Sequence, residues 1–314
     1  MLGLLAERSI ELIVAVQPDA RRGVRTLLRA CALHGVEVAV WPLLDDGEGR
    51  WPSDANTGAF RGHLLRLLDE LAASEDRPAE VVFDLEPPIA AARRALALRL
   101  WDGRVDLRPA NLERAAAHFE ELVMEVVSRG LEATAVVPPM LVLDPPGAAG
   151  GWQRLLGTPV ADLPFARVTV MAYTSLFEGY SRGALARRDA RALLARLCRE
   201  AVRRWGSRAS AALGVVGGGA LGDELPYRVP AELADDVAIA RSTGLEDLSL
   251  YGLTGVLSRR PVDRWLDAFV RTDPAPVLPA PTLRSRAAWA AGWTAGRAFE
   301  LACAVTRPPP RGGR

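Results

Sequence analysis

In the stretch AEVVFDLEPP, residues 79–88, a short apolar run is followed by two acidic residues one position apart and then by a double proline. An apolar run rich in β-branched residues and closed by proline predicts a buried strand. Asp84 and Glu86 stand at its end. A carboxylate is costly to bury unless it is paired, hydrogen-bonded or protonated. The stretch therefore indicates a buried strand that ends in either a structural network or an active site.

Segments of the same kind recur along the chain and alternate with longer helical patterns. Near-continuous apolar strands that alternate with helices predict a parallel sheet covered by helices. The predicted strands are 10–17, 36–44, 80–86, 132–140, 167–175, 210–218 and 247–255. The predicted helices are 20–34, 58–73, 111–129, 183–205, 231–243 and 261–271.

Seven strands are visible, whereas a closed (β/α)8 barrel needs eight. The eighth lies upstream of Met1, is irregular, or is replaced by the C-terminal segment. A doubly wound open sheet is the competing architecture, but no GxGxxG motif follows the first strand, which removes its usual support. We predict an α/β fold, a (β/α)8 TIM-like barrel over residues 1–273 in which one N-terminal strand is not visible.

A tail follows the predicted barrel. We expect a Pro-rich linker at 274–283, a C-terminal helix at 284–307 and a disordered tail at 308–314. The helix carries Gly292 and Gly296, a spacing also found in paired membrane helices. Arg297 and Glu300 within it are expensive at the centre of a bilayer. We therefore favour a helix packed on the barrel or on a partner over membrane insertion of 287–305.

Composition narrows the class of protein. Apolar residues make up 49% and charged residues 25% of the 314 residues, as in an ordinary globular protein. The net charge of +1 gives no footprint for nucleic acid. Cys31, Cys198 and Cys303 form no CxxC pair, so neither a disulfide framework nor a zinc site is expected. The N-terminus lacks the basic region of a signal peptide, which predicts a cytoplasmic protein as written and an exported one if the true start lies upstream.

The two acids of the opening stretch share one side of their strand, because alternate strand residues face the same way. In a parallel barrel the C-terminal end of each strand is the catalytic face. Asp84 and Glu86 are expected to lie about 6–7 Å apart, at which distance they resist ionising together and one pKa rises. A carboxyl group that stays protonated near neutral pH can act as a general acid.

The other strand ends supply aromatic and polar side chains to the same predicted mouth. Acidic groups beside aromatic rings suit a sugar, whose C–H faces stack on rings while its hydroxyls need hydrogen bonds. A carbohydrate is therefore the expected substrate. The candidate substrate-binding residues are Gln17, Trp41, Met171, Ser175 and Tyr251, and Tyr173 lies on the same side of its strand as Met171 and Ser175.

The segments FDLE (83–86) and VMAYTS (170–175) resemble two motifs of glycoside hydrolase family 18, the chitinase-like barrels. That family carries D-x-x-D-x-D-x-E at the end of its fourth strand and M-x-Y-D at the end of its sixth. The resemblance implies that Glu86 is the general acid. It also implies that Asp84 orients the substrate's acetamido group, which acts as the nucleophile, and that Tyr173 hydrogen-bonds that group.

The resemblance covers these two motifs, and the chain departs from them elsewhere. Ala79 and Val82 stand where the family has its earlier acids, and Thr174 stands where M-x-Y-D has Asp. On the last strand, where the family usually has Trp, the chain offers Tyr251 or Leu253. A non-catalytic carbohydrate-binding barrel is therefore one alternative function.

A second alternative comes from the three glycines at 217–219, which follow a strand and could bind a phosphate group. The chain would then be a lyase or isomerase acting on a phosphorylated sugar. Lys is absent from the sequence, which closes the Schiff-base route. His34, His63 and His118 lie in helical patterns rather than at strand ends. We therefore expect neither a cofactor nor a metal, and we favour a tightly turning loop as the role of the glycines.

Overall fold

A computed structural model of the chain describes residues 1–72, 76–96, 109–145, 150–222 and 224–305. Seven parallel strands pair in chain order and form one curled sheet. The predicted α/β TIM-like barrel is thereby confirmed. The strands are β1 (Leu12–Val16), β2 (Val38–Pro42), β3 (Glu80–Asp84), β4 (Glu132–Val137), β5 (Arg167–Met171), β6 (Ala209–Leu213) and β7 (Asp247–Leu250).

Helices surround the sheet. They are α1 (Leu2–Ala6), α2 (Arg21–Leu33), α3 (Thr57–Ala72), α4 (Ile89–Leu96), α5 (Pro109–Ser128), α6 (Gly151–Leu156), α7 (Thr174–Tyr180), α8 (Arg187–Trp205), α9 (Pro230–Arg241), α10 (Leu253–Ser258), α11 (Val262–Val270) and α12 (Leu283–Val305). The long helices α2, α3, α5, α8, α9, α11 and α12 match predicted segments. The unpredicted ones are short, with too few turns to show a periodic pattern.

Each strand ends earlier than the sequence pattern predicts. The predicted strand 167–175, for example, leaves the sheet after Met171, and α7 begins at Thr174. The apolar residues that follow the strands lie instead in segments at the C-terminal rim of the barrel, and most of these residues are buried there. This corrects the placement of Ser175, which lies in a helix and not on a strand.

The sheet has an open side. Within the described ranges, no ladder of hydrogen bonds joins β7 to β1, so a position for one more strand lies between them. In circular order this position either precedes β1 or follows β7. α1 and α11 meet across it, where Arg8 Nε lies 2.9 Å from Asp267 Oδ1. Leu5 of α1 is fully buried in the main core, so these helices cover the outside of the opening.

The interior of the barrel is closed at one end and open at the other. At the N-terminal ends of the strands, the Arg167 guanidinium pairs with Glu80 at 3.1 Å and with Asp247 at 2.5 Å. Above this cluster the lumen is lined by small side chains, including Ala15, Ala212, Ser210 and Ser249. A cavity of about 1350 Å³ therefore runs from the cluster to the C-terminal rim and into a groove beside α12.

The linker and α12 complete the fold. The Ala275 amide donates to the Ala238 carbonyl (3.0 Å), so the linker follows α9. α12 packs on α6 and α8. Trp152 Nε1 donates to the Gly292 carbonyl (3.0 Å), and a Cβ on Gly296 would lie 2.7 Å from the Trp152 ring. Gly296 thus leaves room for the Trp152 ring, whereas Gly292 provides the carbonyl that accepts its hydrogen bond. The predicted tail at 308–314 and the last residues of the predicted helix lie outside the described residues.

Membrane insertion was the less favoured prediction for α12. In the part of the chain that the structure describes, no helix combines the length and the hydropathy that a bilayer crossing requires.

Substitution of Gly151 by Ala is expected to lower the free energy of unfolding by about 1–3 kcal/mol. A Cβ on Gly151 would lie 1.9 Å from the backbone oxygen of Gly296, so α6 and α12 would have to separate. The control is Gly292→Ala, whose Cβ would meet only a methyl group of Leu143, at 2.8 Å. That flexible side chain can move, and Ala favours a helix over Gly by about 1 kcal/mol. Urea unfolding of both variants tests this, and equal stability would contradict it.

Candidate active site

Asp84 is the last residue of β3 and one of two acids at the rim. Its side chain is only 4% exposed, and among the described residues its Oδ1 atom has no hydrogen-bond partner. Burial raises the pKa of Asp84 to about 8. An unpaired buried carboxyl group is far cheaper when it is neutral. Asp84 is therefore largely protonated at neutral pH.

Glu86 is the second acid and lies where the chain leaves the sheet. The Leu85 amide still donates to the Val136 carbonyl of β4 (2.8 Å), and the Glu86 amide turns back to the Asp84 carbonyl (3.1 Å). Burial raises the pKa of Glu86 well above its ordinary value. The charge of Asp84 raises this pKa further, whereas the Arg50 guanidinium lowers it. The raised pKa suits Glu86 to the role of a general acid, which must carry a proton before it reacts.

Three aromatic rings stand beside the acids. The rings of Tyr173 and Tyr251 have centroids 5.8 Å apart, and Trp41 meets Tyr251 edge-on at 6.3 Å. Gly214 permits this arrangement, because a Cβ there would lie 3.3 Å from both tyrosines. Burial, and then the charge of Asp84, raises the pKa of Tyr173 well above its usual range. The Tyr173 phenol is therefore a hydrogen-bond donor at any ordinary pH.

Trp41 adds a second unsatisfied polar atom. Its indole Nε1 is buried and has no hydrogen-bond partner within the described ranges. Buried donors without a partner are rare in folded proteins, and each one needs an explanation. The same cavity thus holds an unused donor on Trp41 and an unused oxygen on Asp84, which are groups that a polar ligand can satisfy.

The structure brings six of the eight sequence-predicted residues to one cavity. Those six are Asp84, Glu86, Tyr173, Trp41, Met171 and Tyr251. The other two lie elsewhere. Gln17 is exposed just after β1 and does not line the cavity. Ser175 is fully buried, and its hydroxyl donates to the Gly214 carbonyl (2.9 Å), so it supports the β6 loop from behind.

Two charged residues of the rim were not predicted, namely Arg50 and Glu224. Arg50 lies in the long 42–57 segment. That segment is pinned by Trp51, which is buried against Leu43 and Ile89. The Arg50 guanidinium contacts the Trp51 ring, and its Nε donates to Asp46 Oδ1 (2.7 Å). The unusual length of this loop was the only sequence signal for Arg50.

The glycine-rich loop after β6 has packing reasons for two of its three glycines. A Cβ on Gly217 would lie 3.0 Å from the Gly255 Cα of α10. A Cβ on Gly219 would lie 2.0 Å from Oε1 of Glu224. The approach of Gly217 to a neighbouring backbone favours a tightly turning loop without a phosphate group, whereas the contact at Gly219 is with the end of the Glu224 side chain.

His, Cys, Asp and Glu side chains are the usual protein ligands of metal ions. The His63 ring nitrogen Nε2 lies 3.1 Å from the Val16 carbonyl, and burial lowers the pKa of His63. Among the residues described, no group of three His, Cys, Asp or Glu side chains is placed to hold a metal ion.

The pKa of Asp84 predicts how stability depends on pH. Folding takes up a proton between the ordinary Asp pKa of about 4 and the folded value of about 8. Stability must then fall as the pH rises through that window, because the unfolded chain binds fewer protons there. Asp84→Asn removes the titrating group. The free energy of unfolding should therefore fall less in the variant than in the wild type between about pH 5 and pH 8, by about 1–3 kcal/mol.

Urea unfolding at the two pH values measures this difference. The control is Asp19→Asn, which removes an exposed acid after β1 and should reproduce the wild-type dependence. Parallel pH dependences of the wild type and Asp84→Asn would show that Asp84 ionises normally.

Comparison with known proteins informs the fold. A scan against protein-family profiles finds no match, and a search of curated proteins finds no similar sequence. The glycoside hydrolase domain of PgaB (BpsB) from Bordetella bronchiseptica is similar at TM-score 0.51 and 13% identity, over 85% of this chain and 92% of that one. A family 5 glycoside hydrolase from Prevotella bryantii B14 is similar at TM-score 0.50 and 12% identity, over 87% and 85% of the two chains.

A chitinase from Rhizomucor miehei is also similar, at 12% identity over 85% of this chain and 94% of that one. Its TM-score is 0.48. At these identities the likeness concerns the backbone alone. The chain therefore has a TIM-like fold that it shares with glycoside hydrolases of several families.

Proposed function

We propose that the chain is a glycoside hydrolase in which Glu86 is the general acid. The observation that carries the proposal is the pair of raised-pKa carboxyl groups, one of them with an unused oxygen, beside aromatic rings in an open cavity. Glu86 has a raised pKa and is half-buried at the mouth. It can therefore give its proton to the oxygen of a leaving sugar, a step typically worth about 100- to 10,000-fold in rate.

Asp84 and Tyr173 are suited to hold an acetamido group. Tyr173 is a permanent donor, and the unused Oδ1 of Asp84 can accept a hydrogen bond. These are the roles that the resemblance to family 18 implies. The acetamido oxygen bonds to the anomeric carbon as the glycosidic C–O bond breaks and Glu86 protonates the leaving oxygen. Water then attacks the anomeric carbon, the acetamido group is released, and the proton from water returns to Glu86.

The aromatic rings support a carbohydrate as the substrate. Tyr251 contacts both Trp41 and Tyr173, so the three rings form one continuous surface next to the acids. Sugar C–H faces pack against such surfaces. The Trp41 Nε1 donor, which has no partner among the described residues, can donate a hydrogen bond to a sugar hydroxyl group.

The test is cleavage of matched p-nitrophenyl glycosides that differ only at the second carbon, an N-acetylglucosaminide against a glucoside, together with the other common sugars. Substrate-assisted hydrolysis requires the acetamido group, so the N-acetyl substrate should be cleaved and its matched glucoside should not. Equal cleavage of both would retain the hydrolase and overturn the acetamido route. Binding of oligosaccharides without any cleavage would favour the non-catalytic carbohydrate-binding barrel instead, a function to which the substitution of Thr174 for the family Asp points.

A further inference from the structure

We propose that Glu224 is a further catalytic residue, the carboxylate that stabilises the positively charged sugar while Glu86 acts as the acid. The inference rests on the proposed function and adds a residue that neither family motif contains. Glu224 lies in the loop between β6 and α9, half-buried, and lines the same cavity as Glu86.

The carboxylate of Glu224 is held at both oxygens. The Tyr180 hydroxyl donates to Oε1 (3.1 Å), and the Gly222 amide donates to Oε2 (3.0 Å). Two donors from different segments, α7 and the loop itself, therefore fix the position of this group.

Gly219 makes room for that position. A Cβ there would lie 2.0 Å from Glu224 Oε1 and 2.1 Å from its carboxyl carbon. Any side chain at 219 would displace the carboxylate from its two donors. The loop thus combines a donor at 180, a donor at 222 and a side-chain-free position at 219 around a single carboxylate.

Glu224 acts on the other groups of the site through its charge. It contributes to the raised pKa values of Glu86, Tyr173 and Tyr251, so it lies within electrostatic range of all three. The Arg50 guanidinium at the rim acts in the opposite direction and lowers the pKa of Glu86.

The chemistry needs an anion that Asp84 does not provide. Glycoside cleavage passes through a transition state with positive charge on the sugar ring, and a fixed negative charge there lowers the barrier. Asp84 is protonated at neutral pH because of its burial. Glu224 accepts a hydrogen bond at each of its two oxygens, whereas Asp84 Oδ1 has no partner among the described residues.

The first experiment measures binding and needs no turnover. Calorimetry compares N-acetylglucosamine with its protonated iminosugar analogue. The wild type should bind the cation about 10- to 100-fold more tightly, as expected for hydrogen bonds to a charged group. Glu224→Gln should lose that preference, whereas Glu200→Gln, which removes a charge from a surface ion pair with Arg203, should keep it. An unchanged preference in Glu224→Gln overturns the inference even if the protein cleaves no glycoside.

The second experiment uses kinetics. Glu224→Gln should lower kcat by about 10- to 100-fold and move the alkaline limb of kcat/KM to lower pH, because removing a negative charge lowers the pKa of Glu86. Tyr180→Phe keeps the shape, removes one donor and should change both quantities less, in the same direction. Wild-type kcat in Glu224→Gln, or an unmoved alkaline limb, overturns the inference. Cleavage lost only in Glu86→Gln would retain the proposed hydrolase without Glu224.

Discussion

Substitution of Glu86 by Gln is expected to lower kcat by about 100- to 10,000-fold, while oligosaccharides still bind. The amide preserves the size of the side chain and removes the proton that the leaving oxygen must receive. Burial and the proximity of Asp84 raise the pKa of Glu86 in the wild type. The kcat should therefore collapse, whereas the dissociation constant of an oligosaccharide should change by a much smaller factor. Steady-state kinetics and calorimetry separate the two effects.

Glu80→Gln is the matched control. Glu80 lies on the same strand and faces the same lumen as Asp84 and Glu86, but it stands at the opposite end, where it pairs with Arg167. Loss of that pair should lower stability and leave the rate per folded molecule close to that of the wild type. Equal turnover by Glu86→Gln and the wild type would remove Glu86 from the role of acid.

The acids could be predicted from sequence because their geometry is local. The strand fixes the side on which Asp84 stands at its end, and Glu86 follows two residues later, just before the two prolines at 87–88. The same rule brought Trp41, Met171, Tyr173 and Tyr251 to the cavity. Only the direction of each strand and its alternation were needed.

Arg50 and Glu224 could not be predicted in this way, because loops place them. Arg50 depends on the burial of Trp51 against Ile89, and Glu224 depends on the hydroxyl of Tyr180, 44 residues away in the chain. Neither contact has a periodic signature. Ser175 shows the converse error, since strand alternation was extended into a segment that had already become helix α7.

Thr174 stands where the family motif has Asp, and its side chain is hydrogen-bonded to an acid from elsewhere in the chain, Asp236. The Thr174 hydroxyl donates to Asp236 Oδ2 (2.5 Å), 62 residues away, as does the Tyr227 hydroxyl (2.8 Å). Arg191 Nε donates to the other oxygen (2.9 Å). The Tyr227 amide in turn donates to the Val215 carbonyl (2.9 Å). The network therefore ties the segment after β5, which carries Tyr173, to the loop after β6.

Asp236→Ala is expected to lower the free energy of unfolding by about 3 kcal/mol. Asp236 is fully buried, so its loss leaves the hydroxyl groups of Thr174 and Tyr227 without their acceptor. Breaking a buried network in this way costs far more than losing an exposed ion pair. Because Thr174 adjoins Tyr173, kcat should fall as well, by less than in Glu86→Gln.

The neighbouring residue supplies the control. Asp235 pairs with the same guanidinium at 2.8 Å, but its side chain is 59% exposed. Asp235→Ala should therefore change stability by no more than about 1 kcal/mol. Both variants remove one carboxylate partner of Arg191. Urea unfolding of the two therefore measures how much the burial of Asp236 adds to the loss of stability. Equal losses would mean that the network contributes no more than a surface ion pair, and Tyr173 would then be held in place by its contact with Tyr251 and by the packing of Gly214.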